Sequence, residues 1–273
     1  MWVGDGCRGQ SMSRLNRTVS MGLMLSALQT SVAKLRGMSM PPSPTAGPHA
    51  TGLQEPPFWD DFLGAIPFCQ LLEENHLQIL EELKQFVLKD KPFMDYPKYG
   101  NLYSNSWEAF PLSIFEGELI EMAKGQLGFD LEAFVAHARQ KLPRISDILT
   151  PLESAGHLRN VFVSRLLPGS VIHPHRGWTS NFLRIHLGLI CDPLCAITVG
   201  PRTQTWAVGK LLSFKDGGAY LHSVLHRGSH ERIVMSVDLR LSYLEQFIPG
   251  ITRGSVDPAR ASMPQGFSTP GKN

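Results

Sequence analysis

The chain has 273 residues, 42% of them hydrophobic, which suffices for one large domain with a sizeable core and excludes a low-complexity polymer. Its formal charge of +2 hides an asymmetry: residues 1–50 hold five basic groups and one acid, leaving 21 basic against 23 acidic groups over residues 51–273. The folded part is therefore close to neutral, and a nucleic-acid partner, which needs a basic face, is not expected.

The first forty residues carry Arg8, Arg14, Arg17, Lys34 and Arg36, several serines and almost no acids. That is the composition of an organellar transit peptide, and equally of a leader with no address, so a cytoplasmic and an organellar location both stay open. The most apolar stretch there, Met21–Ala27, is broken by Ser26 and falls far short of the roughly 20 residues that span a bilayer, so no transmembrane segment is expected. From Pro41 to Pro57 six prolines and two glycines mark a linker, so residues 1–57 are expected to be a disordered leader with a Pro-rich end.

Between Phe68 and Lys89 the apolar residues Leu71, Leu72, Ile79, Leu80, Leu83, Phe86 and Val87 recur at three- and four-residue steps among glutamates, the pattern of an amphipathic helix. A second helical region is expected over about Ile114–Leu142, kinked near Gly125–Gly128 and ended by Pro143. After Leu158 the period changes. Asn160–Leu167, Asn181–Ile190, Cys195–Val199, Lys210–Phe214 and Arg232–Leu239 are short aliphatic or β-branched runs between Gly-, Pro- and Asp-rich turns. Such spacing predicts a sandwich or jelly roll preceded by helices. The division expected is a helical N-terminal part at 58–150, a β core at 151–248 and a disordered tail at 249–273. Cys7, Cys69, Cys191 and Cys195 are too few and too scattered for a disulfide framework.

Six of the ten histidines fall between His173 and His230. In Asn181–Ile190, period-two alternation puts Leu183, Ile185, Leu187 and Leu189 on one face and Phe182, Arg184, His186 and Gly188 on the other. Arg184 and His186 then point either to solvent or into a polar cavity, and periodicity alone favours solvent. Arg232, Val234, Ser236 and Asp238 pose the same choice in the last strand.

A set of fragments follows in order: Ser164-x-x-x-Pro168-Gly169-x-x-x-x-Pro174-His175-x-Gly177, Leu183-Arg184-x-His186-Leu187-Gly188, Thr205-Trp206-x-x-Gly209-Lys210, Phe214-x-Asp216, His222-x-Val224 and Arg232. Together they resemble the aspartyl/asparaginyl β-hydroxylase family, whose members are iron(II)- and 2-oxoglutarate-dependent dioxygenases. The likeness covers roughly Trp107 to Leu239 and is weak before that; Trp107-x-x-Phe110-x-Leu112 resembles a family segment upstream of the barrel, and a plain core role explains it equally well. It implies a double-stranded β-helix, a cupin-like jelly roll.

The resemblance implies that His175 and His222, 47 residues apart, supply two nitrogen ligands to iron. Most such enzymes place a carboxylate two residues after the first histidine; Gly177 stands there, as in the family resembled, where water fills the vacancy. Asp216 is read as a turn residue beside Gly217 and Gly218 in preference to a third ligand. Arg232, assisted by the Ser164 hydroxyl, would bind the far carboxylate of 2-oxoglutarate, for which a forked guanidinium is suited. His186 would contact the iron-proximal carboxylate, and Arg184 would help bind cosubstrate or substrate. The segment Phe214–His222 is about two residues longer than the family pattern, so His222 is placed by its spacing to Arg232. His226 and His230 compete for the second ligand position and are read as loop residues; His173 is read as a neighbour of the site or a surface residue.

The function implied is hydroxylation of an unactivated C–H with Fe(II), 2-oxoglutarate and O2, at the β-carbon of an Asp or Asn residue or a related amino acid. A lipid acyl chain or another small molecule as substrate, and a non-catalytic jelly-roll metal- or ligand-binding module, are the alternatives. No protein partner is indicated beyond a peptide substrate.

Overall fold

The computed structural model describes residues 55–89, 93–96, 101–114, 130–177 and 179–253, so the expected leader up to residue 54, most of the expected tail and residues 115–129 of the expected second helical region lie outside the described residues, while Glu55, expected in the leader, is buried and paired with Lys215. Eleven strands are defined among them: β1 (Met94–Asp95), β2 (Tyr103–Ser104), β3 (Glu108–Ile114), β4 (Leu158–Leu166), β5 (Val171–His175), β6 (Phe182–Ile190), β7 (Cys195–Val199), β8 (Arg202–Thr205), β9 (Leu211–Phe214), β10 (His222–His226) and β11 (Arg232–Arg240). They form a six-stranded sheet ordered β1-β3-β4-β11-β6-β9 and a five-stranded sheet ordered β2-β5-β10-β7-β8. From β4 onward the chain passes back and forth between the two sheets, and the pairings are antiparallel. That winding is the double-stranded β-helix, and it explains how residues remote in sequence come to share one interior.

The larger sheet is buried on both faces. Leu183, Ile185, Leu187 and Leu189 of β6, with Ile233, Met235, Val237 and Leu239 of β11, pack outward against helices and are at most 2% exposed. The other faces of these strands meet the five-stranded sheet across an interior lined by Trp107, Leu166, Ile172, Ile197, Trp206, Leu212, Phe214, Val224 and Val234. A strand covered on both sides cannot send its second face to solvent. Arg184 and Arg232 are accordingly buried and His186 half-buried, and the solvent orientation favoured by periodicity is corrected.

The covering layer differs from expectation at its joints. The single helix foreseen over Phe68–Lys89 is two, α1 (Pro67–Glu74) and α2 (His76–Leu83), followed by a wide turn at Lys84–Leu88. The break falls at buried Asn75, whose Oδ1 accepts from the Arg144 guanidinium at 3.0 Å and whose Nδ2 donates to the Leu71 carbonyl at 2.7 Å. Such side-chain bonds compete with the helix ladder. Helix α3 (Leu131–Gln140) starts at Asp130, whose carboxylate accepts from the Ala133 amide at 2.9 Å. Pro143 does more than end a helix, because it opens α4 (Pro143–Ser154), where its missing N–H costs nothing.

Strands of both sheets already occur ahead of residue 150. β3 belongs to the larger sheet, pairing with β4 from Glu108↔Arg165 to Ile114↔Asn160. At the other end, a short helix α5 (Leu241–Leu244) and a turn at Ile251–Arg253 are packed down, and the Lys215 ammonium donates to the Ile251 carbonyl at 2.7 Å. No helix among the described residues is long and apolar enough to cross a membrane.

Candidate active site

His175 ends β5 and His222 opens β10, and the antiparallel register sets them directly opposite one another. Their ring centroids lie 4.1 Å apart, the planes inclined at 55°. The ladder slips between His222 and Val224, an irregularity of the kind that re-aims a side chain beside a site. The His175 Nδ1 lies 2.8 Å from the carbonyl oxygen of His173. A carbonyl only accepts, so the Nδ1–H donates and the lone pair is left on Nε2, the form a metal ligand takes. Burial, and then the neighbouring His222, hold His175 at a pKa of about 4, which keeps the ring neutral at physiological pH. The His222 Nδ1 is buried without a hydrogen-bond partner among the described residues, and its Nε2 faces Asp216 Oδ1 at 3.2 Å.

Asp216 sits in the turn after β9, as expected, but it is more than a turn residue. Its Oδ1 accepts from the Arg184 Nη1 at 2.6 Å, while Arg184 Nε and Nη2 bind the two oxygens of Asp238 at 2.8 and 2.9 Å. Burial pushes the Asp216 carboxyl upward, yet Arg184, and then His222 and His175, outweigh it and hold the group well below the usual carboxylate range. Gly177 explains itself here. A Cβ at that position would collide with the Asp216 carboxylate, and the Gly177 amide donates to the Asp216 carbonyl at 2.8 Å. Among the described residues no group of three or more His, Cys, Asp or Glu side chains is arranged to hold a metal ion; beside the two facing imidazoles, Asp216 is engaged with His222 and Arg184.

Deeper in the barrel lies Arg232, 2% exposed, on the inward face of β11. Its Nη1 reaches the Ser164 hydroxyl at 3.2 Å and its guanidinium stacks over Trp206 at 4.8 Å. Its Nε has no acceptor, and no carboxylate contacts it among the described residues. Ser164 Oγ also accepts from Trp107 Nε1 at 3.1 Å, so both its lone pairs are used and its own O–H is left to donate. Trp206 Nε1 donates to His186 Nδ1 at 3.2 Å, which places the His186 proton on Nε2. Burial, then Arg232 and Arg184, hold His186 well below its usual pKa, so that ring too is neutral.

The structure thus brings His175, His222, Ser164, Arg184, His186 and Arg232 into one interior. His226 ends β10 and is 1% exposed, not a loop residue; His230 is exposed, and exposed His173 contributes its carbonyl. Cys69, Cys191 and Cys195 are free thiols. Two participants were missed in the sequence, the partnership of Asp216 and Asp238 with Arg184, and the Trp206 face under Arg232. The signal for the first was present, since Asp238 and Arg184 carry opposite charge on the polar faces of two strands, and the register pairs them.

A family profile described as aspartyl/asparaginyl beta-hydroxylase matches residues 73–241. Aspartate beta-hydroxylase domain-containing protein 1 of Bos taurus is 30% identical over 204 residues, covering 72% of this chain and 54% of that protein. Aspartate beta-hydroxylase domain-containing protein 2 of Mus musculus is 39% identical over 106 residues, covering 37% of this chain and 30% of that protein. The matched part of this chain therefore spans about half of these relatives or less. Among solved structures, a prolyl-4-hydroxylase of Pseudomonas putida is similar at a TM-score of 0.35 and 13% identity, covering 78% of this chain and 98% of that one, a likeness too distant to add to the sheets themselves. The profile runs from α1 to the end of β11 and includes both paired imidazoles, and the chain belongs to the aspartyl/asparaginyl beta-hydroxylase family.

Proposed function

We propose that this chain is an iron(II)- and 2-oxoglutarate-dependent dioxygenase that hydroxylates an unactivated C–H, the β-carbon of an aspartyl or asparaginyl residue or a related amino acid. The observation that carries the reading is Arg232, a buried cation without an acid partner among the described residues, next to a hydroxyl left with only its proton to offer. An isolated charge in a protein interior is costly unless something neutralises it. An incoming carboxylate does so, and a forked guanidinium suits its geometry.

The residues fit the groups the reaction needs. His175 and His222 would hold iron(II), His175 through the Nε2 lone pair that the His173 carbonyl leaves free. Bound iron and dioxygen would supply the oxidising power, with 2-oxoglutarate as the co-reductant. Arg232 and Ser164 receive the far carboxylate of that cosubstrate, and His186 offers its Nε2–H to the near one. Arg184 fixes Asp216 and Asp238, so that Asp216 holds negative charge beside His222 and orients that ring. Trp107, Trp206, Leu212 and Val234 exclude water from the floor. The aspartyl or asparaginyl substrate is proposed on the family name alone.

The test is anaerobic addition of Fe(II) and 2-oxoglutarate, monitored for the weak visible charge-transfer band, then oxygen and a succinate assay. The wild type gives the band and succinate. His175→Ala and His222→Ala abolish the band, and Arg232→Ala demands far more 2-oxoglutarate. Absence of the band in the wild type ends the reading.

A further inference from the structure

One buried polar side chain on the barrel floor has no role in the arrangement above. His226 shares the inward face of β10 with His222 and Val224, is 1% exposed, and pairs in register with Cys195, whose thiol lies against Arg232. The Gly228 amide donates to His226 Nδ1 at 3.2 Å. A neutral imidazole has a single N–H, so the proton must sit on Nε2. That Nε2 is buried with no acceptor among the described residues, as is Arg232 Nε. Burial holds the His226 pKa below its usual value, which favours this neutral tautomer. A second metal ligand is the wrong role for it, because four residues of strand put it about 13 Å along β10 from His222.

The floor therefore gathers donors without acceptors: Arg232 Nε, the Ser164 O–H and His226 Nε2–H. Buried polar groups are normally paired, and idle donors on the inward faces of β4, β10 and β11 suit an incoming carboxylate. We propose that His226 is a cosubstrate-specificity residue, its Nε2–H joining Arg232 and Ser164 on the carboxylate remote from the metal, so that the floor selects a 2-oxo dicarboxylate over a 2-oxo monocarboxylate. This rests on the cosubstrate reading given above.

Calorimetric titration of the full chain loaded with Mn(II), which needs no turnover, tests it with two probes: 2-oxoglutarate, and 2-oxopentanoate, which has the same carbon chain without the far carboxylate. The wild type prefers 2-oxoglutarate. His226→Ala weakens 2-oxoglutarate about tenfold and leaves 2-oxopentanoate and the Mn(II) content unchanged. His226→Gln, whose amide N–H can replace the imidazole donor, stays within about threefold of wild type. If His226→Ala binds 2-oxoglutarate like the wild type while Arg232→Ala does not, the role of His226 is overturned and the cosubstrate reading stands. Equal losses for both acids, or loss of Mn(II), also overturn it, because His226 would then serve the fold or the metal. If the wild type binds no 2-oxoglutarate, both proposals fall together.

Discussion

Two buried arginines face the same interior, and their surroundings are opposite. Arg184 is 8% exposed and held by two carboxylates, Asp216 and Asp238, so its cluster is net negative beside the paired imidazoles. Arg232 is 2% exposed and meets a hydroxyl, an indole face and thiols, with no acid among the described residues. The barrel is thus polarised along its interior, with negative charge where a divalent cation would sit and positive charge where a dianion would end. The first arginine is saturated by the protein and serves structure. The second is left unsaturated, at a cost in stability, and under the proposed function serves a ligand.

The sharpest way to break this contrast is in stability. Asp238→Ala removes both oxygens from Arg184 Nε and Nη2 and is expected to cost about 3–5 kcal/mol in urea unfolding, as for other broken buried pairs. Arg232→Met replaces an unpaired cation by an apolar side chain and is expected to be neutral within about 1 kcal/mol or stabilising. A large loss for Arg232→Met would mean that the floor is as satisfied as the mouth. The next effect is in binding: Arg232→Met should cost about 2–5 kcal/mol of 2-oxoglutarate affinity by calorimetry. Gly177→Ala sharpens the mouth side, since its Cβ has to displace a carboxylate pinned by Arg184; about 1–3 kcal/mol of destabilisation is expected by thermal unfolding. Smallest is Trp206→Phe, which keeps a ring under Arg232 and removes the hydrogen bond to His186, for about 0.5–1.5 kcal/mol.

Much of the barrel was legible in the sequence because β6 and β11 carry long period-two patterns, and because the spacing of the histidine and arginine fragments follows the strand order. The orientation of Arg184, His186 and Arg232 was not, since a strand buried on both faces has the same alternation as one half-exposed. Which face meets helices is a tertiary fact. β10 was hidden for another reason: His-Ser-Val-Leu-His has too few aliphatic residues to stand out, so His226 read as part of a loop. The pairing of Asp216 with Arg184 depends on a turn whose course no local pattern fixes. Asn75 likewise divided a helix that periodicity alone made continuous, through a bond to Arg144 sixty-nine residues away.

The most direct measurement is a crystal structure prepared anaerobically with Fe(II) and 2-oxoglutarate, the metal located by anomalous scattering at the iron edge. Iron is expected within coordination distance of His175 and His222, with the far carboxylate of the bound dicarboxylate on Arg232. Iron held elsewhere, at His226 for instance, or a dicarboxylate directed to Arg184 in place of Arg232, would contradict that expectation.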